Sequence, residues 1–191
     1  MSTIVIVRKH HRACIAADSL TSFGDTKQSA EFVANADKIL EFRGQFLGIV
    51  GSAAHQLVMQ SLLARHADAI DFSSSLAIFE TLNRIHPILK EEYFLNAKDE
   101  DEDDYETSRI DALLLTHRGI FGLYALREVD EYTRFWAIGS GSEFALGAMH
   151  AVYDRLDDAE AIAEVGIRAG AAFDNGSALP MQVRSLDLAI D

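Results

Sequence analysis

The sequence predicts an α+β fold, a four-layer α-β-β-α sandwich, and three observations carry that prediction. Short β-branched runs come in pairs, within residues 2–18, 37–50 and 109–126. Apolar residues at helical spacing also come in pairs, between residues 52 and 89 and again between 142 and 172. The order is then strands, two helices, strands, two helices, strand. Stacking two antiparallel sheets, with a helix pair outside each, buries every apolar face.

Each element has its own signal. Residues 2–8 and 12–18 flank Lys9-His10-His11, the pattern of a hairpin. Residues 37–42 and 45–50 repeat it around Arg43-Gly44, and Gly51 ends the strand. From Ser52 the period changes, and Leu57, Val58 and Leu62 share a helical face up to about residue 68. Ser73, Ser74 and Ser75 offer N-caps for a second helix. Its stripe is Ile78, Leu82, Ile85 and Leu89, with Pro87 expected to kink it. Residues 99–104 read Asp-Glu-Asp-Glu-Asp-Asp, too charged to pack, and are expected to be a solvated loop, since the spacing lacks the EF-hand glycine and terminal glutamate. Strands resume at 109–116 and 120–126 about a His117-Arg118-Gly119 turn, and another leads into Ile138-Gly139-Ser140-Gly141. Residues 142–156 and 158–172 read as helices, and 179–190 as a closing strand pair or one bent strand. No repeat or linker divides the sequence, so residues 1–191 are expected to form one domain.

Composition narrows the function classes. Lys and Arg number 17 against 30 Asp and Glu, a net charge of −13 that repels phosphate backbones and argues against nucleic acid as a partner. The single cysteine, Cys14, lies in an apolar run and cannot form an internal disulfide, which fits a reducing compartment. The first basic residue, Arg8, follows the apolar stretch rather than preceding it, unlike a secretory signal. No run approaches the roughly 18 apolar residues of a membrane span. A cytoplasmic protein without membrane attachment is expected. His10 and His11 read as solvated turn residues, and Gly139-Ser140-Gly141 as a strand-to-helix turn, since the phosphate-loop lysine pattern is missing.

The chemistry starts at Ser2, a hydroxyl residue at the head of a strand directly after Met1. Removal of Met1 would leave a hydroxyl and a free α-amine on one residue. Such an amine titrates near ~7.7–8.0 and can serve as the base that a weak hydroxyl nucleophile requires. Taken alone, Asp18 and Lys38 read as an ion pair at strand ends.

The surrounding motifs resemble the β subunits of proteasomes and the bacterial peptidase HslV, of the N-terminal-nucleophile hydrolases. STIVIVR resembles the family's mature TTIV start, with serine replacing the usual threonine. AADSLTSFGDT, NADKILEF, GIVGSAAH, AIGSGSEFA and AAFDNGSA follow in family order through Ser177. The resemblance implies that Ser2 is the nucleophile, Asp18 and Lys38 its activating pair, and Gly51 the oxyanion donor. It places Ser140, Asp174 and Ser177 around the N-terminus. It also implies a pocket of Thr21, Ala36, Leu40, Ile49 and Ala53 for an uncharged, apolar residue before the cut. No cofactor and no metal ligand set is implied; a backbone-carbonyl cation site at residues 170–176 leaves almost no sequence signature.

The implied protein is an endopeptidase subunit acting on unfolded polypeptides or peptides. It would assemble as two stacked rings of six or seven copies, heptamers favoured, served by an ATP-dependent unfoldase or activator. A longer 27–36 stretch and the acidic loop depart from HslV, towards the bacterial proteasome homologues distinct from it. Two alternatives stand beside this: a ring-forming scaffold silent because Met1 is retained, and an amidohydrolase that cuts a small amide.

Overall fold

A computed structural model describes residues 1–97 and 105–189. Residues 98–104, which include the acidic run, and residues 190–191 lie outside the described residues.

Strands β1 (Ile4–Lys9) and β2 (Arg12–Asp18) form the expected hairpin, Lys9 pairing with Arg12. A small hairpin follows, β3 (Thr21–Phe23) and β4 (Thr26–Gln28). Then come β5 (Ile39–Phe42), β6 (Gln45–Val50), helix α1 (Ala53–Arg65) and helix α2 (Ser75–Glu91). Ser52 and Ser74 cap the two helices by accepting from the backbone of Ala54 and Ala77. Pro87 sits inside α2, which runs on to Glu91. Strands β7 (Asp111–Leu115), β8 (Ile120–Leu123), β9 (Val129–Tyr132) and β10 (Phe135–Ile138) precede α3 (Ser142–Val152) and α4 (Ala159–Phe173). The tail is one strand, β11 (Met181–Asp187), not a pair.

The strands form a sheet ordered β10-β1-β2-β11, a second ordered β5-β6-β7-β8-β9, and the separate β3-β4 hairpin. Strand alternation sorts the core into layers. Val5, Val7, Cys14 and Ala16 pack against Met149, Ile162, Ala163 and Ile167 of α3 and α4. Ile4, Ile6, Ala13 and Ile15 point the other way and meet Leu113, Leu115 and Ile120 of the facing sheet. Ala112 and Leu114 then face Leu62, Ile78, Leu82 and Ile85 of α1 and α2. Helices, sheet, sheet, helices: the predicted four-layer α-β-β-α sandwich stands. Cys14 donates to the Ala159 carbonyl at 3.1 Å, and burial pushes its thiol pKa up, so it is a core residue. Among the described residues, no helix is long and apolar enough to cross a membrane.

Candidate active site

The site forms where the start of β1 meets the ends of β2, β5 and β6. Asp18 ends β2 and is fully buried. Its Oδ1 accepts from Thr3 N at 2.9 Å and from Lys38 Nζ at 2.7 Å. Its Oδ2 accepts from Leu20 N at 3.0 Å and Ala178 N at 3.1 Å. A carboxylate this enclosed persists as an anion only because donors surround it. Lys38 immediately precedes β5 and donates a second bond, at 3.1 Å, to the Ser2 hydroxyl. Burial lowers the Lys38 pKa from its ordinary value, and attraction and hydrogen bonding from Asp18, with Asp174 at longer range, offset only part of that.

A second network holds the other side of Ser2. Ser2 N donates to Ser140 Oγ at 3.1 Å, and Ser140 Oγ donates to Asp174 Oδ2 at 2.7 Å. Ser177 Oγ donates to the same oxygen at 2.7 Å and is itself 2.7 Å from Thr3 Oγ1. Asp174 only accepts, so Ser177 gives its proton to Asp174 and Thr3 gives its own to Ser177. Burial acts against ionisation of Asp174. Hydrogen bonds from Ser177, Ser140 and the Gly176 backbone, and the nearby N-terminus, outweigh it and hold the carboxyl below the usual carboxylate range.

Backbone shape matters at two points. Gly139 has φ +94°, and a Cβ there would stand 2.2 Å from the Ser2 carbonyl oxygen. Thr3 is wedged between two glycines: a Cβ on Gly141 or Gly170 would reach within 2.0 Å or 2.4 Å of its Oγ1. Strand alternation explains why Ser2 and Thr3, adjacent hydroxyls, differ. Ser2 Oγ faces Lys38 and the cleft, while Thr3 is fully buried on the opposite face. The Ser2 hydroxyl donates to the Met1 carbonyl at 2.5 Å.

Beside Ser2 opens a cleft of about 640 Å³, lined in part by Lys38 and Gly51, with Gly51 at φ +108° between β6 and α1.

Solved structures give a clear likeness. BPH from Thiobacillus denitrificans is 43% identical, with a TM-score of 0.92 over 99% of this chain and 100% of that one. This chain belongs to the proteasome β/HslV-type N-terminal-nucleophile peptidase family. BPH in complex with epoxomicin gives 42% identity and a TM-score of 0.91, covering 98% of this chain and 100% of that one. Eukaryotic HslV from Trypanosoma brucei, at 20% identity, gives a TM-score of 0.72 over 97% and 99% of the two chains; that likeness speaks for the fold. No protein-family model and no curated protein matches.

The residues that the family resemblance singled out come together with one exception. Ser2, Asp18 and Lys38 form a continuous hydrogen-bonded chain, and Ser140, Asp174 and Ser177 form the network on the Ser2 amide. Thr21, Ala36, Ile49 and Ala53 line the cleft with Gly51. Leu40 does not: its side chain is buried among Leu47, Leu63 and neighbours of the outer core and borders a different cleft on the α1 side. Strand β5 explains this. Lys38 and Leu40 are two residues apart, but regular alternation begins only at Ile39, so Lys38 does not predict the side on which Leu40 lies. Sequence reasoning missed Thr3 and the Leu20 and Ala178 amides on Asp18. Period-2 alternation from Ser2 could have revealed Thr3; no signal marks a backbone donor in a loop. Among the described residues no cluster of His, Cys, Asp and Glu could hold a metal ion.

Proposed function

We propose that this chain, folded as one domain, is the catalytic subunit of a self-compartmentalising endopeptidase whose nucleophile is Ser2 once Met1 has been removed. The observation that carries the reading is the buried relay Asp18–Lys38–Ser2, with contacts of 2.7 Å and 3.1 Å.

The mechanism follows from these groups. The Ser2 α-amine, freed with Met1, takes the hydroxyl proton as Oγ attacks a peptide carbonyl. The Lys38 ammonium, kept charged by Asp18, favours the developing alkoxide. The Gly51 N–H receives the oxyanion, a type of contact worth about 3 kcal/mol in comparable sites. The protonated amine then hands its proton to the leaving amine, and water hydrolyses the resulting ester on Ser2. Ser140, Asp174 and Ser177 orient the amine. The cleft formed by Thr21, Ala36, Ile49 and Ala53 takes an uncharged, apolar side chain before the cut. No cofactor takes part.

The reading includes two stacked rings of six or seven copies, heptamers favoured, in the cytoplasm, with an ATP-dependent unfoldase or activator delivering unfolded chains. Exposed Phe144 and Phe173, 5.6 Å apart between ring centres on the α3–α4 layer, support contact with another copy.

The silent-scaffold alternative requires that Met1 be retained. With Met1 present the amine is an amide, the Ser2 hydroxyl is engaged by the Met1 carbonyl, and the Met1 side chain lies so close to Gly176 that a Cβ there would meet it at 2.1 Å. Intact-mass spectrometry decides between the two. Loss of methionine and an epoxomicin adduct on Ser2, the compound bound by the Thiobacillus relative, are expected, and Ser2→Ala should abolish hydrolysis with rings intact. Retained methionine or surviving activity in Ser2→Ala overturns the proposal.

A further inference from the structure

Lys38 carries its charge at the end of an irregular strap. Residues 29–37, between β4 and β5, contain no helix or strand, and regular pairing begins only at Ile39. A lysine on such a support has many rotamers, yet its ammonium must meet two partners at 2.7 Å and 3.1 Å. One backbone bond reaches it from β6, Ile49 N donating to the Lys38 carbonyl at 3.4 Å, so the residues immediately before it need anchors of their own.

Strand β11 is an edge strand, and two polar residues on it face inward. Gln182 and Arg184 pair with Ala17 and Ile15, which belong to the layer between the sheets. Inward polar groups at that position require partners, and the donors of both reach the strap, although Gln182 Oε1 has no partner among the described residues. Gln182 Nε2 donates to the Ala36 carbonyl at 3.4 Å. Arg184 Nη2 donates to Asp37 Oδ2 at 2.6 Å, and its Nη1 donates to the Val183 carbonyl at 3.0 Å, which orients the guanidinium. Gln56 of α1 donates to the Asp37 carbonyl from the other side. Asp37 Oδ1 accepts from Ile39 N at 2.9 Å, so the same carboxylate joins Arg184 to the first residue of β5. Lys38 sits between those two anchor points.

We propose that Arg184, assisted by Gln182 and Gln56, is a positioning residue for catalysis: through Asp37 and Ala36 it clamps the strap and so sets the Lys38 ammonium against Ser2. The inference rests on the Ser2–Lys38 reading above. A half-exposed ion pair contributes little to global stability, so its loss should appear in geometry rather than in melting. Inward charges on an edge strand also deter strand pairing between molecules; a role limited to that would leave Lys38 unaffected.

The test uses assembled Arg184→Ala and Arg184→Lys proteins. Displacement of a catalytic group by about an ångström costs up to roughly 100-fold, so kcat of Arg184→Ala should fall roughly 10- to 100-fold with KM within about threefold. Arg184→Lys, able to keep one ion pair, should recover most of the loss. Lys38 should become more accessible to solvent; the charged groups facing it are Asp18 of β2, Asp174 at the end of α4 and the Ser2 amine. A readout independent of turnover is acetylation by acetic anhydride, followed by mass spectrometry. Lys38 should react several-fold faster in Arg184→Ala while Lys90 on α2 is unchanged. Unaltered kcat together with unaltered Lys38 reactivity overturns the clamp. Should Arg184→Ala not assemble, Gln182→Ala carries the same measurements with a smaller expected change. If the wild type shows no Ser2-dependent hydrolysis but Lys38 reactivity rises in the variant, the clamp stands and the peptidase assignment falls.

Discussion

Replacing Asp18 with asparagine is the sharpest test of the buried relay. The wild-type carboxylate is fully buried and accepts from Thr3 N, Lys38 Nζ, Leu20 N and Ala178 N. An asparagine amide keeps the shape but offers one accepting atom and two donors. Its oxygen can face Thr3 and Lys38, and then its NH2 confronts the N–H groups of Leu20 and Ala178. Either orientation leaves buried donors facing donors, and Lys38 loses its counter-charge. Breaking one side of a buried pair costs about 3–5 kcal/mol. For a chain of this size that corresponds to a fall in melting midpoint of roughly 6–20 °C at fixed protein concentration.

Lys38 already titrates below its ordinary value, chiefly through burial, and without Asp18 it is lowered further. The sign of the pH dependence follows. A base whose folded pKa lies below its unfolded one destabilises the fold while protonated, and the penalty fades as pH rises towards the unfolded value. The gap between Asp18→Asn and wild type should therefore be wider near about pH 7 than near about pH 10. Hydrolysis of a fluorogenic peptide with an apolar residue before the cut should fall roughly 10²- to 10³-fold in kcat/KM, the scale for loss of a charge at a developing oxyanion. A variant within threefold of wild type in kcat/KM would refute the relay, whatever its melting behaviour.

Three further outcomes are expected. Gly139→Ala places a Cβ 2.2 Å from the Ser2 carbonyl oxygen at φ +94°, so it should destabilise by about 2 kcal/mol or more and disable hydrolysis; Gly147→Ala, with open space on α3, should be neutral or stabilise by up to about 1 kcal/mol. Paired denaturation curves check both. Ala53→Asp puts a carboxylate on the cleft wall at the first residue of α1, where the helix dipole favours it, and a peptide panel should show preference moving towards Lys or Arg before the cut by roughly tenfold. Asp174 has its pKa depressed, so its contribution to stability is complete above the unfolded value and is lost only as pH falls through the folded one; the activity deficit of Asp174→Asn should be flat across about pH 5 to 8.

Much of the architecture was legible because burial enforces period. The runs at Ile4–Lys9, Arg12–Asp18 and Gln45–Val50 are buried in alternate layers, and α2 and α4 carry cap residues as well as stripes, whereas on α1 Leu57 is exposed and the buried side is Met59, Leu62 and Leu63. The hairpin β3–β4 was not visible, since two three-residue strands with half-buried or exposed side chains leave no alternation to read. Strand β9 escaped for a related reason: it is a sheet edge, and its centre is Asp130-Glu131, both exposed. Within the candidate site, Asp18 and Lys38 lie near recognisable strand ends, but their roles were named in advance by the family resemblance and not by local pattern. The placement of Leu40 could not be foreseen, because the irregular strap before β5 gives no phase from which to count. The clamp on that strap joins residues 36–37 to 182–184, a separation no local pattern spans.

If Ser2 is the nucleophile, as proposed above, the burial of Thr3 has a consequence for trimming of the chain. Two hydroxyl residues stand side by side at the start of β1, and a cut one position too far would leave a threonine, chemically an able nucleophile, at the new terminus. Its oxygen, however, is held against Ser177 and enclosed by Gly141 and Gly170 on the far side of the strand. An over-trimmed subunit would retain its layers and surfaces, join assemblies and contribute nothing to turnover. Under that proposal the activity of a preparation depends on single-residue accuracy at one peptide bond, and the fraction of chains that begin at Ser2 measures its active-site content.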